Sequence, residues 1–261
     1  MAFYSTGLEL ILNACEGALQ IVITDNEKPL VFEQWLVPQK AAEILAPALA
    51  QMCERLEIRP DGFRRIGCFA GPGSFTGIRL VLATAAAMRR ASHAQLASLD
   101  YLQALATSAV QRRNLLYPGK VCVLTHARRE LVHFQQFCSY GAQIPAQPLD
   151  IVRLISPSEA LQEIAREKCL VCGSGLAKEP DIFALPITGQ GPLDAPDAEL
   201  MPELVHPDLS ALCLLARHGD YFPTDVEPKY VRGCDAVENL VNRLGPEAPE
   251  VKAVEAMLGT H

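Results

Sequence analysis

Apolar residues in the first part of the chain form short runs, and one longer helical stripe follows them. The runs at residues 8–13, 19–24 and 29–37 are separated by polar turns, which predicts three strands of an antiparallel meander. A helix over residues 38–57 comes next, and Pro47 is expected to kink it. Its apolar side chains recur at helical spacing: Ala41, Leu45, Ala48, Leu49, Met52 and Leu56.

A strand, a tight turn and a second helix are predicted at residues 65–70, 71–73 and 74–91. The hydroxyl of Ser74 stands where it can cap this helix. The first half then ends with a short extended segment at 94–99 and a helix that Asp100 caps and that runs to about residue 113.

The second half repeats this order loosely, which predicts a duplicated α/β architecture. Ser156 and Pro157 mark the start of a helix, because proline is favoured in a first turn. Residues 180–207 contain six prolines and are predicted to be mostly loop. The other predicted elements are strands at 119–125, 131–137 and 168–173, a turn at 127–130 and a helix at 208–219.

The repeat predicts three segments in the chain. They are an N-terminal subdomain of residues 1–99, a C-terminal subdomain of residues 100–233, and a polar, weakly ordered tail of residues 234–261.

Composition restricts the partners of the protein more than it restricts the fold. The 261 residues carry a formal net charge of -7, and basic residues occur in runs no longer than pairs, so tight RNA binding by the chain alone is disfavoured. Nine cysteines without regular spacing indicate reduced thiols in a cytosolic protein. The sequence lacks a basic leader segment and an apolar run of the roughly 18 residues that a membrane span requires. A soluble, cytoplasmic protein is therefore predicted.

The most informative stretch is a strand-to-helix turn with the sequence Gly71-Pro72-Gly73-Ser74-Phe75-Thr76-Gly77-Ile78-Arg79. Such a turn can aim backbone N–H groups at an anion, or its glycines can let the helix pack close to the sheet. Thr76 replaces a glycine of the dinucleotide-binding motif, and Ile78 replaces the Walker lysine. Chemistry alone therefore favours the packing turn. Residues 71–77 are called the signature turn below.

This nine-residue string resembles the signature of the bacterial TsaB (YeaZ) family, G-P-G-S-F-T-G-[IVL]-R. Residues 125–130 stand where that family has an IDAR.GE hairpin, and residues 228–232 resemble its C-terminal P.YLR motif. Ile44 and Leu45, with Pro47 nearby, resemble the family's first helix. The resemblance runs from about residue 8 to residue 232, which is most of the chain.

The resemblance implies an α/β, two-subdomain fold of the actin-like, ribonuclease H-like ATPase type, with a duplicated βββαβαβα order. It implies a non-catalytic scaffold or activator in the complex that attaches a threonylcarbamoyl group to adenosine beside the tRNA anticodon. The implied partners are a TsaD-like catalytic subunit and a TsaE-like ATPase, with a homodimer when the chain is alone. tRNA would be bound only through the complex, and no membrane is involved. No cofactor is intrinsic, and ATP or ADP would lie at an interface of the complex.

The resemblance also places the partner surface on the two long helices, where small residues allow close helix approach. The predicted interface residues are Ile44, Leu45, Ala48, Leu49, Met52, Phe75, Thr76, Ile78, Arg79, Ala83 and Ala87. The predicted residues of the signature turn are Gly71, Pro72, Gly73, Ser74 and Gly77.

Departures from the family pattern argue against chemistry by this chain. Asn13 stands where the family has an aspartate, and an amide binds a divalent cation poorly. His126 replaces the aspartate of the hairpin, and a family histidine is missing near residues 39–41. Asn13, Gly173 and Gly175 are predicted to mark a degenerate nucleotide site, although a plain strand-to-helix turn explains the two glycines better.

Several reactive residues have plainer explanations. Cys169 and Cys172 form one C-x-x-C on a predicted strand, where their side chains point to opposite faces, so buried thiols are expected. Ser74 lacks a nucleophile elbow and is expected to cap its helix. Arg79 fits a phosphate, a partner's carboxylate or a plain surface charge. The arginine pair at 128–129 fits a solvated turn better than a tRNA contact.

Three alternative functions stay open. A nucleotide-binding hydrolase or kinase of the same fold would need an acid where Asn13 stands. An M22-type, peptidase-like protein would need metal ligands, and no two of the six histidines have the H-x-x-x-H spacing. A homodimeric structural protein without a tRNA role is the third. No catalytic residue and no metal ligand is predicted.

Overall fold

The computed structural model describes residues 7–37, 39–115, 119–128, 130–183 and 198–231. The architecture below belongs to the compact unit that ends at Lys229. Its first half contains β1 Leu8–Asn13, β2 Ala18–Asp25, β3 Lys28–Leu36, α1 Ala41–Arg55, β4 Arg65–Phe69, α2 Phe75–Ser92, β5 Gln95–Leu99 and α3 Tyr101–Arg113. Its second half contains β6 Gly119–Arg128, β7 Leu131–Ser139, β8 Gln147–Pro148, β9 Arg153–Ile155, α4 Pro157–Ile164, β10 Cys169–Cys172, α5 Ser174–Lys178, α6 Pro180–Phe183, β11 Glu199–Met201 and α7 Leu209–Arg217.

The two halves build sheets with one strand order. The first sheet runs β3-β2-β1-β4-β5, with β1 antiparallel to β2 and parallel to β4. The second runs β8-β7-β6-β10-β11, with β6 antiparallel to β7 and parallel to β10, and β9 also pairs with β7. In each half a hairpin therefore lies beside a parallel strand that the chain reaches through a helix. The duplicated architecture predicted from the sequence is confirmed at this level.

The central strands of the first sheet are buried rather than half-exposed. All six residues of β1 and the first seven of β2 are buried. Both faces of these strands are therefore covered, as is usual for strands in the interior of an α/β fold. Strand β3 is an exposed edge of this sheet, and all nine of its residues are of intermediate or high exposure.

Helix α3 lies in the interior, in contact with β6, β7, β10 and α7. Of residues 101–110, only Gln103 is more than slightly exposed, which is typical of a helix that is packed on all sides. Its buried hydroxyls are satisfied within the helix, since Thr107 donates to the Gln103 carbonyl at 2.7 Å and Ser108 donates to the Ala104 carbonyl at 2.8 Å.

The last described segment returns to the first sheet. Helix α7 contacts β1, β5 and α3. Beyond it, Leu96 and Phe222 form an antiparallel bridge, and the Lys229 N–H donates to the Ala70 carbonyl at 2.8 Å. Residues 209–229, which the sequence placed in the C-terminal subdomain, thus pack on the N-terminal sheet. The subdomain boundary at residues 99 and 100 stays a prediction.

Two element predictions need correction. Strand β6 continues to Arg128, so the predicted turn at 127–130 is confined to its last residues. Part of the stretch predicted as loop at 180–207 is regular: Pro180–Phe183 is helical, and Glu199–Met201 forms β11 by pairing in parallel with β10. An edge strand this short is formed by its neighbour's backbone, which no local pattern reveals. The predicted tail at 234–261 lies outside the described residues.

The predicted helix starts are confirmed. Ser74 accepts a hydrogen bond from the Gly77 N–H, and Asp100 accepts one from the Gln103 N–H. Ser156 and Glu159 form a reciprocal capping box with Pro157 in the first turn. Pro47 lies inside α1. No helix in the described part of the chain is long and apolar enough to cross a membrane.

Candidate functional site

The signature turn presses the start of α2 against the turn between β1 and β2. The Ser74 N–H donates to the Cys15 carbonyl, and the Ser74 hydroxyl accepts from the Gly77 N–H at 3.3 Å. A Cβ at Gly73 would collide with the Cys15 backbone, and one at Gly77 would collide with the Ala14 carbonyl oxygen. These glycines are therefore required for close approach, which supports the packing interpretation of the turn.

Gly71 has the same restriction on the other side of the turn. Its φ of +124° is unfavourable for residues with a side chain, and an added Cβ would lie 2.7 Å from the Lys229 carbonyl oxygen. Its own carbonyl accepts from the Tyr101 N–H at 3.2 Å, and Pro72 next to it is buried. The Ser74 amide, one donor that an anion would use, is already taken by the protein. The signature turn is thus built from backbone contacts within the chain.

Helix α2 is also held at its C-terminal end. Arg89 and Arg90 both reach the carboxylate of Asp225, at 2.9 and 3.0 Å. The hydrogen bond from Arg89 holds the pKa of Asp225 below its usual value. The helix is therefore fixed at both ends against segments of its own chain.

The structure divides the predicted interface residues into two groups. Five of them are buried in the chain's own core, and their direct contact with a partner stays a prediction: Leu45, Ala48, Leu49, Met52 and Ile78. Their 3.6-residue spacing marks the face that packs on the first sheet, and that spacing by itself says only that one face of a helix is apolar.

The remaining predicted interface residues lie towards the surface. Thr76, Arg79, Ala83 and Ala87 are exposed on one face of α2, at the three- and four-residue spacing of helical neighbours. Ile44 and Phe75 are partly buried. Helix α1 contacts α2 and exposes small residues of its own: Ala42, Ala46, Pro47 and Ala50. The exposed set Thr76, Ala83 and Ala87, together with these residues of α1, is called the two-helix face below.

Arg79 stacks on its own helix. Its guanidinium carbon lies 3.8 Å from the centre of the Phe75 ring, which is a close cation–π contact. The contact orders a long charged side chain beside the two-helix face. It leaves open whether the guanidinium also meets a partner's carboxylate.

A second group of residues joins the two halves of the chain. The Ser174 hydroxyl, at the start of α5, donates to Glu16 Oε1 at 2.7 Å and accepts from the His126 N–H at 2.9 Å. Glu16 lies in the β1–β2 turn, three residues after Asn13. The structure therefore brings together the two segments that the sequence assigned to a degenerate nucleotide site.

The predicted members of that site have structural roles. The Asn13 amide donates to Gln20 Oε1 at 2.7 Å, and its oxygen accepts from the Cys15 N–H at 3.0 Å, which fixes the β1–β2 turn. A Cβ at Gly173 would collide with the Leu124 carbonyl, and one at Gly175 would lie 3.0 Å from the Leu124 Cβ. Nucleotide binding by these residues stays a prediction.

Burial sets the charge of Glu16. Desolvation raises the pKa of its carboxyl to about 7, against the opposing effects of the Ser174 hydrogen bond and the Lys178 charge. Its second oxygen, Oε2, is buried and has no hydrogen-bond partner among the described residues. Near neutral pH the carboxyl therefore exchanges between its neutral and ionised forms.

Sequence reasoning missed Glu16 and Ser174. Each stands inside a segment that was singled out, Glu16 directly after Asn13-Ala14-Cys15 and Ser174 between two glycines. Their partnership spans 158 residues, and no local pattern connects them. The signal that was available is a lone acid followed by glycine at the end of an apolar strand.

The remaining candidates are structural where the chain is described. Cys169 and Cys172 are free and buried, and they belong to separate apolar clusters, as expected for opposite faces of a strand. Ser74 acts as a helix cap. Among the described residues, no three His, Cys, Asp or Glu side chains converge as metal ligands would.

Comparison with protein families gives one match. The model of the family described as TsaD, tRNA N6-adenosine threonylcarbamoyltransferase, matches residues 36–178, which is more than half of the chain. A comparison with curated proteins found no match.

Among the solved structures that this chain resembles, two match it with similar quality. One is YeaZ from Pseudomonas aeruginosa, with a TM-score of 0.68 and 17% identity over 86% of this chain and 100% of that one. The other is described as an uncharacterised protein with similarity to peptidase YEAZ from the same organism, with a TM-score of 0.69 and 17% identity over 87% of this chain and 100% of that one. These likenesses establish the fold, and the predicted α/β class with a duplicated strand order is confirmed.

Proposed function

Because the chain belongs to the family that the tRNA N6-adenosine threonylcarbamoyltransferase (TsaD) model describes, as the resemblance to TsaB (YeaZ) indicated, we propose that it is a non-catalytic partner subunit. Family membership supports a role in the synthesis of threonylcarbamoyladenosine in tRNA. In this proposal the chain is cytoplasmic, pairs with a TsaD-like catalytic subunit and a TsaE-like ATPase, and forms a homodimer when alone. tRNA, and ATP or ADP, are bound only within the complex.

The two-helix face is the observation that carries the proposal. One side of α2 is buried in the core, while its other side exposes Thr76, Ala83 and Ala87. Helix α1, which contacts α2, exposes small residues as well. Small side chains let the backbone of a partner helix approach closely, so two helices from each subunit can pack as a bundle. The α2 face is also rigid, because the signature turn and Asp225 hold both ends of the helix. A rigid surface loses little conformational entropy on binding.

The proposal also includes that this chain has no catalytic activity of its own. The Asn13 amide is occupied by Gln20 and Cys15, and the Ser74 hydroxyl is occupied by its cap. Measured alone, the purified chain is expected to turn over neither ATP nor peptides above background. ATP turnover would favour the alternative of a nucleotide hydrolase or kinase, and peptide cleavage with bound stoichiometric zinc would favour the M22-type peptidase.

The test of the interface uses charge on the exposed side of α2. Ala83→Glu is expected to weaken binding to the TsaD-like subunit from the same genome at least about tenfold, because a desolvated, unpaired carboxylate costs more than the 1.4 kcal/mol of that factor. The matched control is Ala165→Glu, an exposed alanine at the end of α4 in the other half. Binding is measured by titration calorimetry, with unfolding midpoints to show that both variants fold. Equal affinity for the two variants would contradict the assignment of this face.

A further inference from the structure

The β1–β2 turn lies in the first half of the chain and α5 in the second, and a side-chain hydrogen bond from Ser174 Oγ to Glu16 Oε1 joins them at 2.7 Å. The Ser174 hydroxyl has a second partner, because it accepts the His126 N–H at the end of β6. The same hydroxyl thus ties the backbone of the second sheet to a carboxyl of the first. The proposed function does not use this contact.

The two oxygens of the Glu16 carboxyl differ. Oε1 accepts from Ser174 in either protonation state, since a carboxylate oxygen and a carbonyl oxygen are both acceptors. Oε2 is buried and lacks a hydrogen-bond partner among the residues that the structure describes. An ionised carboxyl would therefore carry a buried charge on an oxygen that no donor of the described residues reaches, and burying such a charge is costly.

We propose that Glu16 and Ser174 form a proton-linked clasp, which holds the β1–β2 turn against α5 when the carboxyl is neutral and loosens when the carboxyl is ionised. The proton passes to solvent, and water hydrates the freed Oε2. Cys15, the residue before Glu16, accepts the Ser74 N–H. The clasp is therefore next to the signature turn, and its opening or closing affects the start of α2 through the Cys15 carbonyl.

The surroundings of the clasp favour the neutral carboxyl. Burial raises the pKa of Glu16 to about 7, and the Ser174 hydrogen bond and the charge of Lys178 offset only part of this rise. The Tyr101 hydroxyl influences the carboxyl but donates its own proton to the Val205 carbonyl at 3.2 Å. The titratable or charged groups that face the clasp from the elements packed around it are Cys15, Asp100, Tyr101, His126, Lys178 and, through Tyr101, His206.

The sign of the pH dependence follows from linkage. In the open form the carboxyl has its ordinary pKa near 4.5, whereas in the closed form its pKa is about 7. The closed form thus holds the proton more tightly, and its advantage is complete below the lower value. The stability advantage of the closed form is lost as the pH rises from about 4.5 to about 7, and above about 7 the loss is complete.

The experiment is amide hydrogen exchange of the full chain between pH 5 and pH 8, followed at the His126 N–H. Its protection factor is expected to fall at least about tenfold over this range in the wild type, since a carboxyl titrating between those two pKa values changes the opening equilibrium by more than that. In Glu16→Gln, which keeps the acceptor and cannot ionise, the protection factor should stay level. The Leu96 N–H, which bonds the Phe222 carbonyl at 2.8 Å, is the internal reference.

Two further measurements separate the clasp from other titrating groups. The Glu16 carboxyl carbon, assigned by its absence in Glu16→Gln, is expected to titrate near pH 7 by NMR. In Ser174→Ala its pKa should rise further, because the hydrogen bond that lowers it is removed. His206→Gln should leave the pH dependence of the protection factor at the His126 N–H unchanged. A Glu16 titration near 4.5, an unchanged profile in Glu16→Gln, or a profile abolished by His206→Gln would each overturn the proposal.

Discussion

In both halves of this chain a glycine turn lets the start of a helix pack closely against the backbone, but the two helices that follow differ. In the first half, Gly73 and Gly77 bring the start of α2 against the backbone of Ala14 and Cys15. In the second half, Gly173 and Gly175 bring the start of α5 against Leu124 in the same way. Because both sheets share one strand order, these turns occupy equivalent places. A glycine turn is thus a property of the fold and does not by itself mark a binding site.

What differs is the helix that each turn begins. Helix α2 has 18 residues, enough to bury one face and expose another along its whole length. Helix α5 has 5 residues, and its first three are buried, so its exposed surface is confined to Ala177 and Lys178. Its serine bonds Glu16 instead. The first turn therefore leads to an exposed helix face, which we propose as a surface for another protein, and the second leads to a contact inside this one.

The largest expected effect concerns the two faces of α2. Ala85 is fully buried, whereas Ala83, two residues earlier, is exposed. Ala85→Glu should lower the free energy of unfolding by about 4 kcal/mol or more, because it places an unpaired carboxylate and extra volume in the core. Ala83→Glu should change it by less than about 0.5 kcal/mol. Urea unfolding followed by circular dichroism measures both, and equal effects would show that the two faces are misassigned.

The next effect compares the two glycine turns. Gly77→Ala and Gly173→Ala should each cost about 3 kcal/mol or more, because the new Cβ meets the Ala14 or the Leu124 carbonyl oxygen. Gly62→Ala is the matched control, since its Cβ would lie 3.7 Å from Leu8 Cδ1, an ordinary contact. Thermal unfolding ranks the three variants. A Gly173→Ala variant as stable as the Gly62→Ala control would show that the two turns are not equivalent.

A smaller effect depends on pH. Glu16→Gln should be more stable than the wild type by about 2 kcal/mol at pH 8, and the difference should vanish towards pH 4.5. The reason is that burial raises the pKa of Glu16 to about 7, so the wild type alone loses stability as the pH rises through that window. Denaturant unfolding at several pH values gives the difference. A constant difference across the range would contradict this account of the second turn.

The smallest effect concerns the cap of α2. Ser74→Ala should cost about 1 kcal/mol, because the Gly77 N–H loses its acceptor. Ser158→Ala, an exposed serine in the first turn of α4, is the control and should be neutral. The loss would appear in the unfolding midpoint without a change in the slope of the denaturant curve. A neutral Ser74→Ala would mean that the backbone contacts of the signature turn alone hold the helix start.

Local signals in the sequence predicted much of this fold. The caps at Ser74, Asp100 and Ser156 are where their side chains and neighbours indicated. The order of strands and helices followed from the runs and stripes of apolar residues. Strand β11 was missed, because its three residues become a strand only by pairing with β10.

The candidate site was predicted less well. The helical period identified an apolar face that includes Leu45 and Met52, and the structure shows that the core of the same chain covers it. Helical periodicity by itself cannot distinguish an apolar face that packs in the core of the same chain from an apolar face that binds a partner. The exposed small residues of α2 were part of the same prediction and lie on the opposite side of the helix. The partnership of Glu16 and Ser174 had no sequence signal that joined its two members.

The sequence by itself determined the elements, their caps, the glycines of the two turns and the family to which the chain belongs, because each depends on residues close together along the chain. Only the tertiary structure decided which face of α2 is free, that α7 returns to the first sheet, and that a carboxyl at position 16 meets a serine 158 residues later. Burial and long-range contacts arise from how the elements pack. The packing therefore determines both which face of α2 is exposed and the pKa of Glu16.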